Sequence, residues 1–169
     1  MMAPLAKIFG GISAVLVTLI LIGLVLPGTW SAEASIEIEA DPTEVFPYLN
    51  DLSRWDRWTN WGDIESELSN PSRNAGASRT WDDPNLGSGS VTITSSVAPA
   101  FVGYEVEVEG GASVSGELRI EDLGGASRVT WREEGDLGRN PLMGYAARNM
   151  SESQGAQLAE GLEKLRYIF

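Results

Sequence analysis

The sequence predicts an α+β fold: a curved antiparallel sheet wrapped around one long C-terminal helix, preceded by one transmembrane helix. Three patterns carry this prediction. Apolar and polar residues alternate with period two through the middle of the chain, an apolar period of three to four occupies its end, and a charge-free run of 19 residues lies near its start.

The first element is that run, from Ile8 to Leu26, bounded by Lys7 and by Pro27-Gly28. At ~1.5 Å per residue it makes about 28 Å of helix, close to the ~30 Å hydrocarbon thickness of a bilayer. Residues 1–30 therefore read as a retained anchor and residues 31–169 as the domain. The competing reading is a cleaved signal with an A-x-A-like site at Ala32-Glu33-Ala34. The run is longer than the ~7–15 residues of a signal's apolar region, and Ala34 opens an apparent strand, so the retained anchor is preferred. Lys7 before the span and acids after it put the domain on the extracytoplasmic side under the positive-inside rule. Trp30 serves either as an interfacial anchor or as the opening of the domain.

The domain begins with SIEIEAD, where Ile36, Ile38 and Ala40 face away from Glu37, Glu39 and Asp41. Asp41-Pro42-Thr43-Glu44 is an N-cap with proline at the first helical position and glutamate at the third, starting a short helix through Val45, Phe46, Tyr48 and Leu49. Next comes DLSRWDRWTNWGD, with Trp55, Trp58 and Trp61 at steps of three. They can plug the open end of the sheet, line a pocket, or touch a membrane.

Five or six antiparallel strands follow as a meander with one wet, acidic face. VTITSSV turns Val91 and Ile93 inward, and YEVEVEG does so with Tyr104, Val106 and Val108. SGELRIEDL contributes Leu118 and Ile120, and SRVTWRE contributes Val129 and Trp131. Turn signals fall at Pro84-Asn85, Ala98-Pro99, Gly110-Gly111 and Gly124-Gly125. Arg79 shares a strand face with Trp81 and, if buried, requires an anion. Asn140-Pro141 then repeats the cap-plus-proline signal. From Met143 the positions Ala147, Met150, Gln154, Leu158, Leu162, Leu165 and Ile168 form one stripe, interrupted only by polar Gln154. Gly155 and Gly161 weaken such a helix, and close packing on the sheet is the expected reason for them.

Composition narrows the function. Acids outnumber bases 24 to 12, for a net charge of −12, and the excess lies after Ser31. Such a domain repels phosphate backbones and anionic headgroups, so nucleic acid is not an expected partner. The absence of cysteine and histidine removes thiolate chemistry, the usual neutral-pH base and the commonest metal ligand. No metal or cofactor is expected. Asp82-Asp83 with Asn85 reads as a hairpin tip rather than a cation loop, and Gly87-Ser88-Gly89-Ser90 as a turn rather than a phosphate cradle. Most acids fall on the outward face, where they are solvated, and no catalytic constellation is visible.

ASIEIEADPTEVFPYLNDLSRWDRWTNW, followed by GSGSVTI, SRVTW and EGLEKLR in that order, resembles the SRPBCC superfamily. The likeness is to its polyketide cyclase/dehydrase and lipid transport branch, and it spans Ser31 to Phe169. The resemblance implies a START-like helix-grip domain with a cavity between the concave sheet and the last helix, suited to a hydrophobic small molecule or lipid. It does not imply catalysis. Candidate pocket residues are Trp55, Trp58, Trp61, Arg79, Trp81, Tyr104, Trp131, Met143, Arg148 and Met150. The leading expectation is a membrane-anchored, non-catalytic binder. A cyclase/dehydratase-like enzyme using a buried Tyr, Arg or acid is the alternative, and an envelope protein-interaction module with a self-filled cavity is a third.

Overall fold

The computed structural model describes residues 15–84, 87–110, 112–138 and 142–169. In chain order they form α1 (residues 15–25), β1 (Thr29–Ile38), α2 (Pro42–Leu49), α3 (Leu52–Trp55) and a 3-10 turn at Asn60–Asp63. There follow β2 (Ser66–Leu68), β3 (Ser78–Asp83), β4 (Gly87–Val97), β5 (Phe101–Val108), β6 (Ala112–Asp122), β7 (Ser127–Asp136) and α4 (Met143–Arg166). The strands make one antiparallel sheet in the order β1-β7-β6-β5-β4-β3-β2.

Alternation decides which face of this sheet is wet. Ile38, Val91, Ile93, Leu118 and Val129 are fully buried, whereas Glu37 and Glu107 stand on the outer face. There Arg128 bridges Glu37 at 2.7 Å and Glu121 at 2.9 Å. The expected cap of α2 is present: Asp41 is its N-cap, Pro42 opens it, and the Asp41 N–H donates to Glu44 Oε2 at 3.3 Å. The cap-plus-proline signal at Asn140-Pro141 lies outside the described residues.

The sheet starts earlier than the SIEIEAD pattern suggests. β1 pairs with β7 from Thr29↔Asp136 to Ile38↔Ser127. Trp30 is buried and lies over Gly135, its cross-strand partner, so it opens the domain rather than sitting at a membrane interface. Ala32 and Ala34 pair with Glu133 and Trp131, and cleavage beside them would cut β1 in two. Of the predicted span Ile8–Leu26, residues 8–14 lie outside the described residues. Among the described residues no helix is long and apolar enough to cross a membrane. α1 exposes Val15, Leu16, Leu21, Leu24 and Val25 among others, and Tyr145 at the start of α4 donates its hydroxyl to the Leu19 carbonyl at 3.0 Å.

Two further expectations change. Gly87-Ser88-Gly89-Ser90 is not a turn but the start of β4, paired with β3; Gly89 faces Trp81, whose ring occupies the space a Cβ would need. On α4, Met150 is exposed and Ser151 is half-buried in its place. At ~100° per residue, the steps 147-151-154-158 stay nearer the centre of the buried stripe than a path through 150.

α4 packs chiefly against β1, and then β7, and buries Gly144, Ala147, Leu158, Gly161, Leu162 and Leu165. Gly161 is a point of close approach, since a Cβ there would lie 2.8 Å from Trp131 Cζ3 and 3.2 Å from the Trp58 carbonyl. Gly155 is not, for nothing lies within 4 Å of such an atom. Gly155→Ala should therefore raise stability in urea by up to ~1 kcal/mol through helix propensity. Gly161→Ala should lower it by about 1–3 kcal/mol through overpacking; equal effects of the two would refute this distinction.

Candidate functional site

The tryptophan segment has little regular structure of its own, and a side chain from the sheet holds it in place. Arg79 on β3 is buried. Its Nη2 lies 2.6 Å from Asp56 Oδ1 and donates to the Leu52 carbonyl at 3.0 Å, while Nη1 donates to the Trp61 carbonyl at 3.1 Å. The anion that a buried Arg79 requires is Asp56, so its charge is satisfied within the chain.

So held, the segment directs its rings to different places. Trp55 and Trp58 are fully buried, and their indole N–H groups donate to the carbonyls of Leu49 at 2.9 Å and Tyr48 at 3.2 Å. Their rings meet at 5.7 Å; Trp55 makes an edge contact with Tyr104 at 5.0 Å, and Trp58 one with Trp131 at 5.1 Å. The Trp131 Nε1–H then donates to the Tyr104 hydroxyl at 2.7 Å, which closes a loop of four aromatic residues. Tyr104 fits because its cross-strand partner is Gly116, where a Cβ would meet the phenol ring. Trp61 is half-buried and packs on Trp81 at 5.1 Å.

Above this loop lies a polar chain. Tyr104 donates its O–H to Glu133 Oε1, and Gln154 on α4 donates to Glu133 Oε2 at 2.6 Å. Glu133 is 7% exposed. Burial holds its carboxyl above the ordinary glutamate value of 4.5, although the hydrogen bonds from Tyr104 and Gln154 act the other way. The Tyr104 hydroxyl is pushed well above the usual phenol value, by burial first and by the neighbouring Glu133 charge second, and so it stays a donor at neutral pH.

Glu133 and Gln154 face a cavity of about 200 Å³ between the 3-10 turn, β7 and α4. Trp61, Trp131, Ile64 and Leu158 form its apolar walls, Thr59, Asn60 and Gln157 add polar ones, and Gly161 lines it where the helix closes on Trp131. Among the described residues no group of three acidic, histidine or cysteine side chains could hold a metal. The arrangement can bind a small guest with an apolar body, and it can accept hydrogen bonds from that guest or exchange a proton with it.

Of the residues singled out by sequence, Trp61 and Trp131 line this cavity. Trp55, Trp58, Trp81 and Tyr104 are buried behind or beside it, and Arg79 anchors the segment. Met143 is half-buried, and Arg148 and Met150 are exposed on α4; none of these three lines the cavity. Sequence reasoning missed Glu133, although the signal was present. Glu133 is in phase with inward Val129 and Trp131, so it interrupts the apolar face of β7 as Gln154 interrupts that of α4. The two interruptions bond to each other.

The sequence matches the family described as polyketide cyclase / dehydrase and lipid transport over residues 29–167. No curated protein matches it. Among solved structures it is similar to Mll3558 from Rhizobium loti, at 14% identity and TM-score 0.63, over 83% of this chain and 97% of that one. It is also similar to CalU16 from Micromonospora echinospora, at 18% identity and TM-score 0.56, over 82% and 73%. A third is DynU16, from the dynemicin biosynthetic locus, at 14% identity and TM-score 0.58, over 81% of this chain and 46% of that one. The chain thus spans about half the length of DynU16, and identities this low show shared fold alone.

Two predictions follow from the site geometry. Arg79→Lys replaces a planar fork with one ammonium that cannot reach both carbonyls and Asp56 together, and it should cost about 2 kcal/mol in urea denaturation; an unchanged midpoint would show that the clamp is idle. For Glu133, a folded-state pKa above the unfolded one means that its contribution is fully present below about pH 4.5 and is lost as pH rises through the folded value. Relative to the parent, Glu133→Gln should therefore gain stability as pH is raised from about 4 to about 8, whereas parallel profiles would contradict the buried-acid assignment.

Proposed function

The chain belongs to the polyketide cyclase / dehydrase and lipid transport family, and from that premise we propose that it binds a small, largely apolar molecule in the grip cavity without transforming it. The observation that carries this is the cavity itself, in which Trp61, Ile64, Trp131 and Leu158 face the polar side chains of Thr59, Asn60, Glu133, Gln154 and Gln157, the mixture of apolar body and placed polar groups that orients a ligand. Its size narrows the ligand. A void of about 150 Å³ takes a benzene-sized guest, so about 200 Å³ suits one ring or a short branched segment, with any longer part lying out through the mouth. The proposal includes tethering through the apolar run Ile8–Leu26, supported by the exposed apolar side chains of α1, with the domain on the extracytoplasmic side according to Lys7.

A cyclase/dehydratase-type reading has one specific observation behind it: the Glu133 carboxyl, hydrogen-bonded to Tyr104, faces the cavity and is protonated more readily than a solvated acid. The interaction-module reading has less support, because Trp55 and Trp58 fill the grip only in part.

Native mass spectrometry of the full chain purified from membranes tests the binding proposal. A co-purifying small molecule is expected, and its occupancy should fall in Gln157→Trp, which narrows the mouth. A bare mass under conditions that preserve the ligand of a control lipid carrier would reject binding.

A further inference from the structure

We propose that the cavity between the 3-10 turn, β7 and α4 is a site for a ring-bearing ammonium, with Glu133 as its counter-ion and Trp61 and Trp131 as its walls. The inference rests on the ligand-binding reading above and gives that ligand a charge.

The argument starts from what surrounds Glu133. Both of its carboxylate oxygens accept hydrogen bonds, but the donors, Tyr104 and Gln154, are neutral. No described lysine or arginine forms an ion pair with it, and none lines the cavity. Lys164 reaches only the rim, where it donates to Asn60 Oδ1 at 3.1 Å and pairs with Glu160 at 2.8 Å. A buried carboxylate without a cation is a standing electrostatic deficit. Each of its oxygens keeps a second lone-pair position beside the one already used, and the cavity gives access to it.

The remaining walls agree with a cation. Trp61 and Trp131 are both cavity-lining indoles, the side chain that attracts cations most strongly through its ring face. Burial disfavours the charged form of Glu133, and an ammonium seated beside the carboxylate would offset that penalty. The net charge of −12 draws cations toward the surface and turns anions away. A carboxylate-bearing guest would place like charge beside Glu133, which disfavours fatty acids as the occupant. Volume limits the body of the ligand to about one ring, as above.

Three ring-matched probes separate charge from shape: 2-phenylethylammonium, 2-phenylethanol and 3-phenylpropionate, each titrated calorimetrically into the full chain in nanodiscs at neutral pH. The ammonium should bind about tenfold or more tightly than the alcohol, and the propionate most weakly. Glu133→Gln should bring the ammonium down to the level that the alcohol shows with the same variant, and an unchanged near-ultraviolet dichroism spectrum of the buried tryptophans reports that the cavity is still formed. Equal binding of ammonium and alcohol by the parent, or an ammonium preference that survives in Glu133→Gln, overturns the proposal and leaves the neutral-ligand reading standing. Failure of all three probes to bind, together with a bare native mass, overturns both.

Discussion

The guanidinium of Arg79 is the constraint on which the closed end of the grip depends. It joins the carbonyl of Leu52, the first residue of α3, to the carbonyl of Trp61, and it pairs with Asp56 between them. Helical pieces of four residues such as α3 and the 3-10 turn do not persist by themselves, because nucleation is unfavourable and so few bonds repay it. Their geometry therefore comes from outside. A planar fork with several donors suits this task, since it fixes direction as well as distance at each acceptor. Once the segment is held, burial of Trp55 and Trp58 follows, and each of these indoles is of the size whose removal from a core costs about 3–5 kcal/mol.

From this closure the polar chain inherits a direction. Tyr104 has one proton, and it goes to Glu133; its lone pairs are then free to accept from Trp131. Gln154 completes the carboxylate from the helix side. Sheet and α4 thus meet at one acid, and its orientation is set by groups from two elements that are distant in sequence. Such convergence satisfies a buried charge locally without neutralising it.

Much of the fold is legible in the sequence because it rests on local rules. Period two at Ile36, Tyr104, Leu118 and Val129 marks the strands, and the cap at Asp41 marks α2. The errors come where tertiary contacts decide. Trp30 reads equally as an interfacial anchor or as the opening of the domain until Gly135 is found beneath it, and Gly87-Ser88-Gly89 looks like a turn until Trp81 is found above Gly89. Met150 fits a stripe that three-residue and four-residue steps describe equally well, and packing selects Ser151. The site was the least legible part. Outward glutamates are common enough here that Glu133 is inconspicuous, and only its phase with Trp131 betrays it. That it faces Gln154 depends on how α4 lies across β7, which no local pattern encodes.

The closed loop of Tyr104, Trp55, Trp58 and Trp131 also bears on how the ligand preference of such a domain can drift. Each ring leans on two others or on a backbone carbonyl, so no single substitution at the floor can enlarge the cavity without disturbing its neighbours. The rim is different: Trp61, Gln157 and Asn60 lie at the mouth and carry fewer such obligations. Variation among relatives of this chain should accordingly collect at the mouth, changing which guests can enter, while the depth of the cavity stays the same.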